Sequence, residues 1–66
     1  MFEVEWLCDG QPVERETSLA RTAAEAVTRA KARAAEIATR FPGREPDSFR
    51  LIDAGSKREV GVYSLR

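Results

Sequence analysis

Residues 22–41 read TAAEAVTRAKARAAEIATRF. Thr22 followed three positions later by Glu25 is a capping-box pattern. The Thr22 hydroxyl accepts from the Glu25 amide, and the Glu25 carboxylate reaches back to the Thr22 amide. At about 100° per residue, Ala23, Val27, Ala30, Ala34, Ile37, Ala38 and Phe41 form one apolar stripe. Glu25, Arg29, Ala32, Arg33, Glu36 and Arg40 lie opposite. That is one amphipathic helix, with Glu25–Arg29 and Glu36–Arg40 at the supportive i,i+4 spacing. Phe41 precedes Pro42, which disfavours further α geometry, and Gly43 suits a left-handed cap. The stripe is mostly alanine, so the helix can approach a sheet closely. The bulky groups then come from the sheet, through Phe2 and Trp6, and from the helix end, through Ile37 and Phe41.

Outward from the helix, each flank reads as a hairpin. Phe2, Val4, Trp6 and Cys8 alternate with Glu3, Glu5, Leu7 and Asp9, the period of a half-buried strand. Phe2, Val4 and Trp6 are expected to face the helix. Asp9-Gly10 is a turn pair, and Pro12 suits an edge or turn position. A second strand is expected over Val13–Leu19, with Val13, Arg15, Thr17 and Leu19 on one face. Glu14, Glu16 and Ser18 line the other, as in a solvated edge strand. After the polar loop of residues 42–48, a third strand is expected over Phe49–Asp53 and a turn over Ala54–Lys57. A fourth follows over Arg58–Leu65, with Val60 and Val62 on one face and Gly61, Tyr63 and Leu65 on the other. Gly61 within it marks a bulge or a close approach.

The order β-β-α-β-β defines an α+β fold. One helix packs on one face of a four-stranded mixed or antiparallel sheet, and residues 1–66 form a single small domain. A chain of 66 residues has no room for a second domain. It also has a thin stability margin, which good packing or self-association must supply. The sheet face away from the helix stays open. Glu3, Glu5 and Leu7 are expected there, with a share of Ile52, Tyr63 and Leu65. Leu7, Ile52, Tyr63 and Leu65 are therefore the candidate association surface.

The composition excludes much chemistry. Cys8 is the only cysteine and histidine is absent. The chain thus lacks an internal disulfide, the three or four Cys/His ligands of a tetrahedral zinc site, and the usual proton shuttle near neutral pH. The acidic neighbours of Cys8 oppose a reactive thiolate, so it reads as a small strand-end hydrophobe. Glu3 and Glu5 share a strand face, where solvated carboxylates are far commoner than an acid–base pair. No glycine-rich phosphate loop is present. No catalytic, cofactor-binding or metal-ligating residue is expected, and the chain reads as non-enzymatic. No secretory leader and no apolar run near the roughly 20 residues of a membrane span is evident, so a cytoplasmic protein is expected. Arginine outnumbers lysine and alanine is abundant, as in a GC-rich bacterial genome.

The formal net charge is zero, which argues against strong non-specific nucleic-acid binding. Its distribution is uneven. Residues 1–19 carry five acids against Arg15 alone, a net −4, whereas residues 20–44 carry six bases against Glu25 and Glu36, a net +4. An acidic hairpin and a basic helix favour intramolecular pairing. The competing reading aims Arg29, Arg33 and Arg40 at the phosphates of a nucleic acid.

The segment Thr22–Val27, followed by Arg29-Ala30, resembles the T-x-x-E-A-x-x-x-A helix start of small bacterial α/β proteins, HicB-type antitoxins among them. The proline-, glycine- and cysteine-containing loop ahead of the HicB-type helix is replaced by ETSLAR at Glu16–Arg21. No functional residue is carried over from that resemblance. Association with a protein partner or with itself, through the open sheet face or an edge strand, is the leading expectation. A nucleic-acid-binding or antitoxin-like regulator using the arginine face is the alternative.

Overall fold

A computed structural model describes residues 1–66. Its elements are β1 (Phe2–Cys8), β2 (Gln11–Ser18), α1 (Ala23–Arg40), β3 (Ser48–Asp53) and β4 (Glu59–Ser64). All strand pairs are antiparallel, in the spatial order β2-β1-β3-β4. The two hairpins therefore meet through their first strands, and β2 and β4 are the outer edges.

The first hairpin closes on Asp9 and Gly10, whose φ angles of 51° and 78° define a type I′ turn. The second turns on Asp53, whose Oδ1 accepts from the amides of Gly55 (2.8 Å) and Ser56 (3.1 Å). Those two donors hold the Asp53 carboxyl below its ordinary value, the Ser56 amide contributing most. The loop before β3 ties the hairpins together. The Asp47 amide donates to the Leu7 carbonyl, and its carbonyl accepts from the Leu65 amide, each at 3.0 Å.

The helix begins as its cap residue predicts, with Thr22 Oγ1 accepting from the Glu25 amide at 3.1 Å. The return arm differs: Glu25 Oε2 accepts from the Arg21 amide, one residue before Thr22. Phe41 closes the helix by donating to the Ala38 carbonyl. The helix lies over β1 and β3. Ala26, Ala30 and Ile37 are its buried residues, packed on Phe2, Val4, Trp6, Phe49 and Leu51. Ala26, outside the expected stripe, is fully buried, while Ala23, Val27, Ala34 and Phe41 border the core. Alanine permits that closeness, and the volume is supplied by Trp6, Phe49, Ile37 and Leu51, the largest fully buried side chains.

Each outer strand carries one bulge. In β2, Leu7 pairs with Pro12 but Trp6 pairs with Glu14, leaving Val13 as the extra residue. An unbroken register from the Asp9-Gly10 turn would set Glu5 against Glu14 and Glu3 against Glu16, two like-charge pairs. The bulge instead sets Glu5 against Arg15 and Glu3 against Thr17. It also breaks the expected grouping of β2 faces, parting Val13 from Arg15 and Thr17. Val13, Glu14 and Glu16 fall on the helix side, and Arg15 and Thr17 on the open side. In β4, Ile52 pairs with Glu59 and Leu51 with Gly61, so Val60 is the extra residue. Tyr63 is thereby brought opposite Phe49 and stacks on it, with ring centroids 5.3 Å apart. Gly61 leaves room for that ring: a Cβ there would sit 3.1 Å from the Tyr63 hydroxyl oxygen and 3.2 Å from Cζ.

Candidate association site

The helix arginines are brought into ion pairs. Arg33 grips Glu16 with two bonds, Nε to Oε1 at 2.9 Å and Nη2 to Oε2 at 2.6 Å. Its Nη1 reaches Glu36 Oε2 at 2.8 Å. Arg40 lies between Glu14 (3.9 Å) and Glu16 (4.0 Å) rather than on Glu36. Arg29 pairs with Glu25 at 2.6 Å, the expected i,i+4 contact. A two-bond grip is the strong form of this pair. It holds the Glu16 carboxyl below its ordinary value, Arg33 contributing most, burial opposing and the nearby Trp6 indole assisting. The same bonds raise the Arg33 guanidinium above its own. The Trp6 indole nitrogen approaches Glu16 without reaching hydrogen-bond geometry and has no other partner. Arg29, Arg33 and Arg40 thus form a clasp closing the helix on itself and on β2, because the β2 bulge turns Glu14 and Glu16 toward it.

The open sheet face is filled by a second set of pairs. Glu5 lies between Arg15 Nη2 (2.8 Å) and Arg50 Nη2 (3.3 Å). Arg50 Nε also reaches Glu59 at 3.4 Å, and Lys57 reaches Glu3 at 3.5 Å. The hydrogen bond from Arg15 to Glu5 raises the Arg15 guanidinium above its ordinary value. Arg15 and Arg50 are the cross-strand neighbours of Glu5 in β2 and β3, Glu59 reaches Arg50 from β4, and Lys57 reaches in from the turn before β4. Glu3 and Glu5 are consumed by this ladder.

The four residues expected as an association surface separate. Leu7 and Ile52 belong to the open face and are already buried. Tyr63 and Leu65 lie on the helix side, packed against the core. The open face therefore does not gather the four, since the β4 register turns Tyr63 inward onto Phe49. What the open side leaves exposed is aliphatic and near the β4 edge: Val62 opposite Arg50, at 56% exposure, and Val60 at the bulge, at 43%. Their alternation with Gly61 and Tyr63 was legible, but which face met solvent required the bulge.

The two edges differ in what they offer a neighbouring strand. β2 carries Pro12, which has no N–H to donate, a bulge beside it, and the charged run Glu14-Arg15-Glu16. Proline, bulges and charge are the devices that blunt a sheet edge. β4 reads EVGVYS, with Glu59 its only charge and no proline.

Cys8 is a free, half-buried thiol at the end of β1. No group of three or more His, Cys, Asp and Glu side chains is arranged to hold a metal ion, and no helix is long and apolar enough to cross a membrane. These features define a small α+β domain with one helix on an antiparallel sheet. No protein-family model matches the chain, nor does a curated protein or a solved structure.

Proposed function

We propose that this chain is a non-enzymatic protein-association module that pairs through the outer edge of β4, with a second copy of itself as the partner. The observation that carries the reading is the bare β4 edge, where Val60 and Val62 are exposed beside unpaired strand backbone. Antiparallel pairing of two β4 strands about a two-fold axis joins the two sheets and satisfies that backbone. It also covers valines that the ion-pair ladder leaves uncovered. A small domain with a thin stability margin gains from such a contact by mass action.

The arginine-face reading ranks second. Each of Arg29, Arg33 and Arg40 already has a carboxylate partner, so the helix face presents little net positive charge to a polyanion. The experiment is sedimentation velocity over a concentration series, comparing the native chain with Val62→Lys. A concentration-dependent dimer abolished by the lysine supports the reading. A native chain that stays monomeric throughout rejects it.

A further inference from the structure

A groove of about 200 Å³ runs between α1 and the end of β2. It exists because the helix lies over β1 and β3 and leaves β2 uncovered beyond the Arg33–Glu16 clasp. Val4, Trp6, Ala26 and Ala30 form its apolar walls. Leu19 stands at its lip and is 72% exposed, the most exposed large hydrophobic side chain of the protein. Two arginines reach it, and they differ in availability. Arg33 has Nε, Nη1 and Nη2 all engaged by Glu16 and Glu36. Arg29 engages Glu25 through Nη2 alone, leaving Nε and Nη1 without a protein partner.

Size selects the occupant. Sites for drug-sized ligands run from about 300 to 1,000 Å³, whereas a cavity of about 150 Å³ accepts a benzene ring. The groove matches one aromatic or branched side chain. Thr17, Ser18 and Leu19 line it, past the proline, bulge and charged run that blunt the earlier part of β2, so an extended backbone can lie alongside this last stretch. We infer that this groove receives a single apolar anchor side chain from an extended acidic segment of a partner protein, with a carboxylate beside the anchor meeting the free donors of Arg29. This contact is separate from the β4 edge and does not require it.

Trp6 is the only tryptophan and lies fully buried behind the groove, so its emission responds to occupancy through the side chains packed around it. The test titrates the protein with the peptide acetyl-Glu-Phe-Glu-amide. Parallel titrations use its Glu-Ala-Glu and Lys-Phe-Lys counterparts and the free acid phenylacetate. The expected result is a saturable change in Trp6 emission with Glu-Phe-Glu. Affinity is expected to fall about tenfold or more, the equivalent of about 1.4 kcal/mol, for each counterpart peptide. The same loss is expected in Arg29→Gln and in Leu19→Asp, both changes of exposed side chains, with circular dichroism confirming the fold. Absence of a saturable change, equal binding by Lys-Phe-Lys, or full affinity in Arg29→Gln would overturn the inference. Phenylacetate binding as tightly as Glu-Phe-Glu would overturn it too, by showing a pocket for small acids. Repeating the titration on Val62→Lys reads the groove in a chain unable to pair through β4, so failure of one contact is distinguished from failure of the other.

Discussion

The outer strands β2 and β4 occupy equivalent places in the sheet, and each carries one bulge, yet the bulges have opposite consequences. The extra Val13 in β2 places Arg15 opposite Glu5 and turns Glu14 and Glu16 toward Arg33 and Arg40. That edge is bound inward by charge. The extra Val60 in β4 places Tyr63 over Phe49, and Val62 is left on the solvent side. That edge is bound inward by an aromatic stack and by the Glu59–Arg50 pair, and is bare outward. A single inserted residue decides which side chains an edge strand withholds and which it presents.

The largest expected effect separates the supports of the two strands. Trp6 is fully buried under the β2 side, with its ring 5.6 Å from Phe49, whereas Tyr63 is half-buried under β4. Trp6→Ala is expected to cost about 3–5 kcal/mol, enough to unfold much of a domain this small. Tyr63→Ala is expected to cost less, since less of its surface leaves water. Denaturant melts of both variants check the order, and equal losses would erase the distinction between the two strands.

Gly61→Ala is the next test. The added methyl group meets the Tyr63 ring, which must shift, and overpacking of this kind costs about 1–3 kcal/mol. A loss near the lower end is expected, since a half-buried ring has room to give. It should be accompanied by changed ring shifts for Phe49 and Tyr63 in the NMR spectrum. An unchanged melt would show that the stack does not constrain β4.

The β2 clasp is worth less and responds to pH. The Glu16 carboxyl is held below its ordinary value in the folded chain. Its contribution to stability is therefore fully present above the unfolded value of about 4.3 and is lost as pH falls through the folded one. Partly exposed pairs contribute at most about 1 kcal/mol. Thermal melts between about pH 6 and pH 3 should fall less steeply for Glu16→Gln than for the native chain. Parallel profiles would show that the Arg33 grip adds nothing.

The smallest expected effect is on nucleic acid. Because the clasp pairs Arg29, Arg33 and Arg40, duplex DNA or RNA at moderate salt should leave their amide resonances in place, and Arg29→Glu with Arg33→Glu should change nothing further. Salt-sensitive shifts centred on these three residues would restore the nucleic-acid reading.

The fold was legible wherever local rules suffice. Thr22 with Glu25 placed the helix start, Phe41-Pro42 its end, and Asp9-Gly10 the first turn. The alternation of Phe2, Val4 and Trp6 placed the buried face of β1. Register was not legible, because it depends on a bulge that no local pattern of β2 announces. The like-charge pairs of the unbroken register, Glu5 with Glu14 and Glu3 with Glu16, were the available signal. Counting outward from the turn exposes the conflict, and one extra residue removes it. The same gap explains the candidate surface. Leu7 lies on the open face as expected, and of the three residues expected to share it Ile52 does, whereas Tyr63 and Leu65 follow the β4 register to the helix side and Val62 stands exposed instead. The pairing of the basic helix with the acidic hairpin was legible in the charge distribution, but its particular partners Glu14 and Glu16 depend on the β2 bulge.

The most direct test of the account is sedimentation velocity on three chains, native, Val62→Lys and Thr17→Lys, from dilute to concentrated solution. The account predicts a reversible dimer for the native chain and for Thr17→Lys, whose lysine lies on the blunted β2 edge, and a monomer for Val62→Lys. A dimer that survives Val62→Lys but is lost in Thr17→Lys would assign association to the wrong edge. A native chain monomeric at every concentration would contradict self-pairing through β4 altogether.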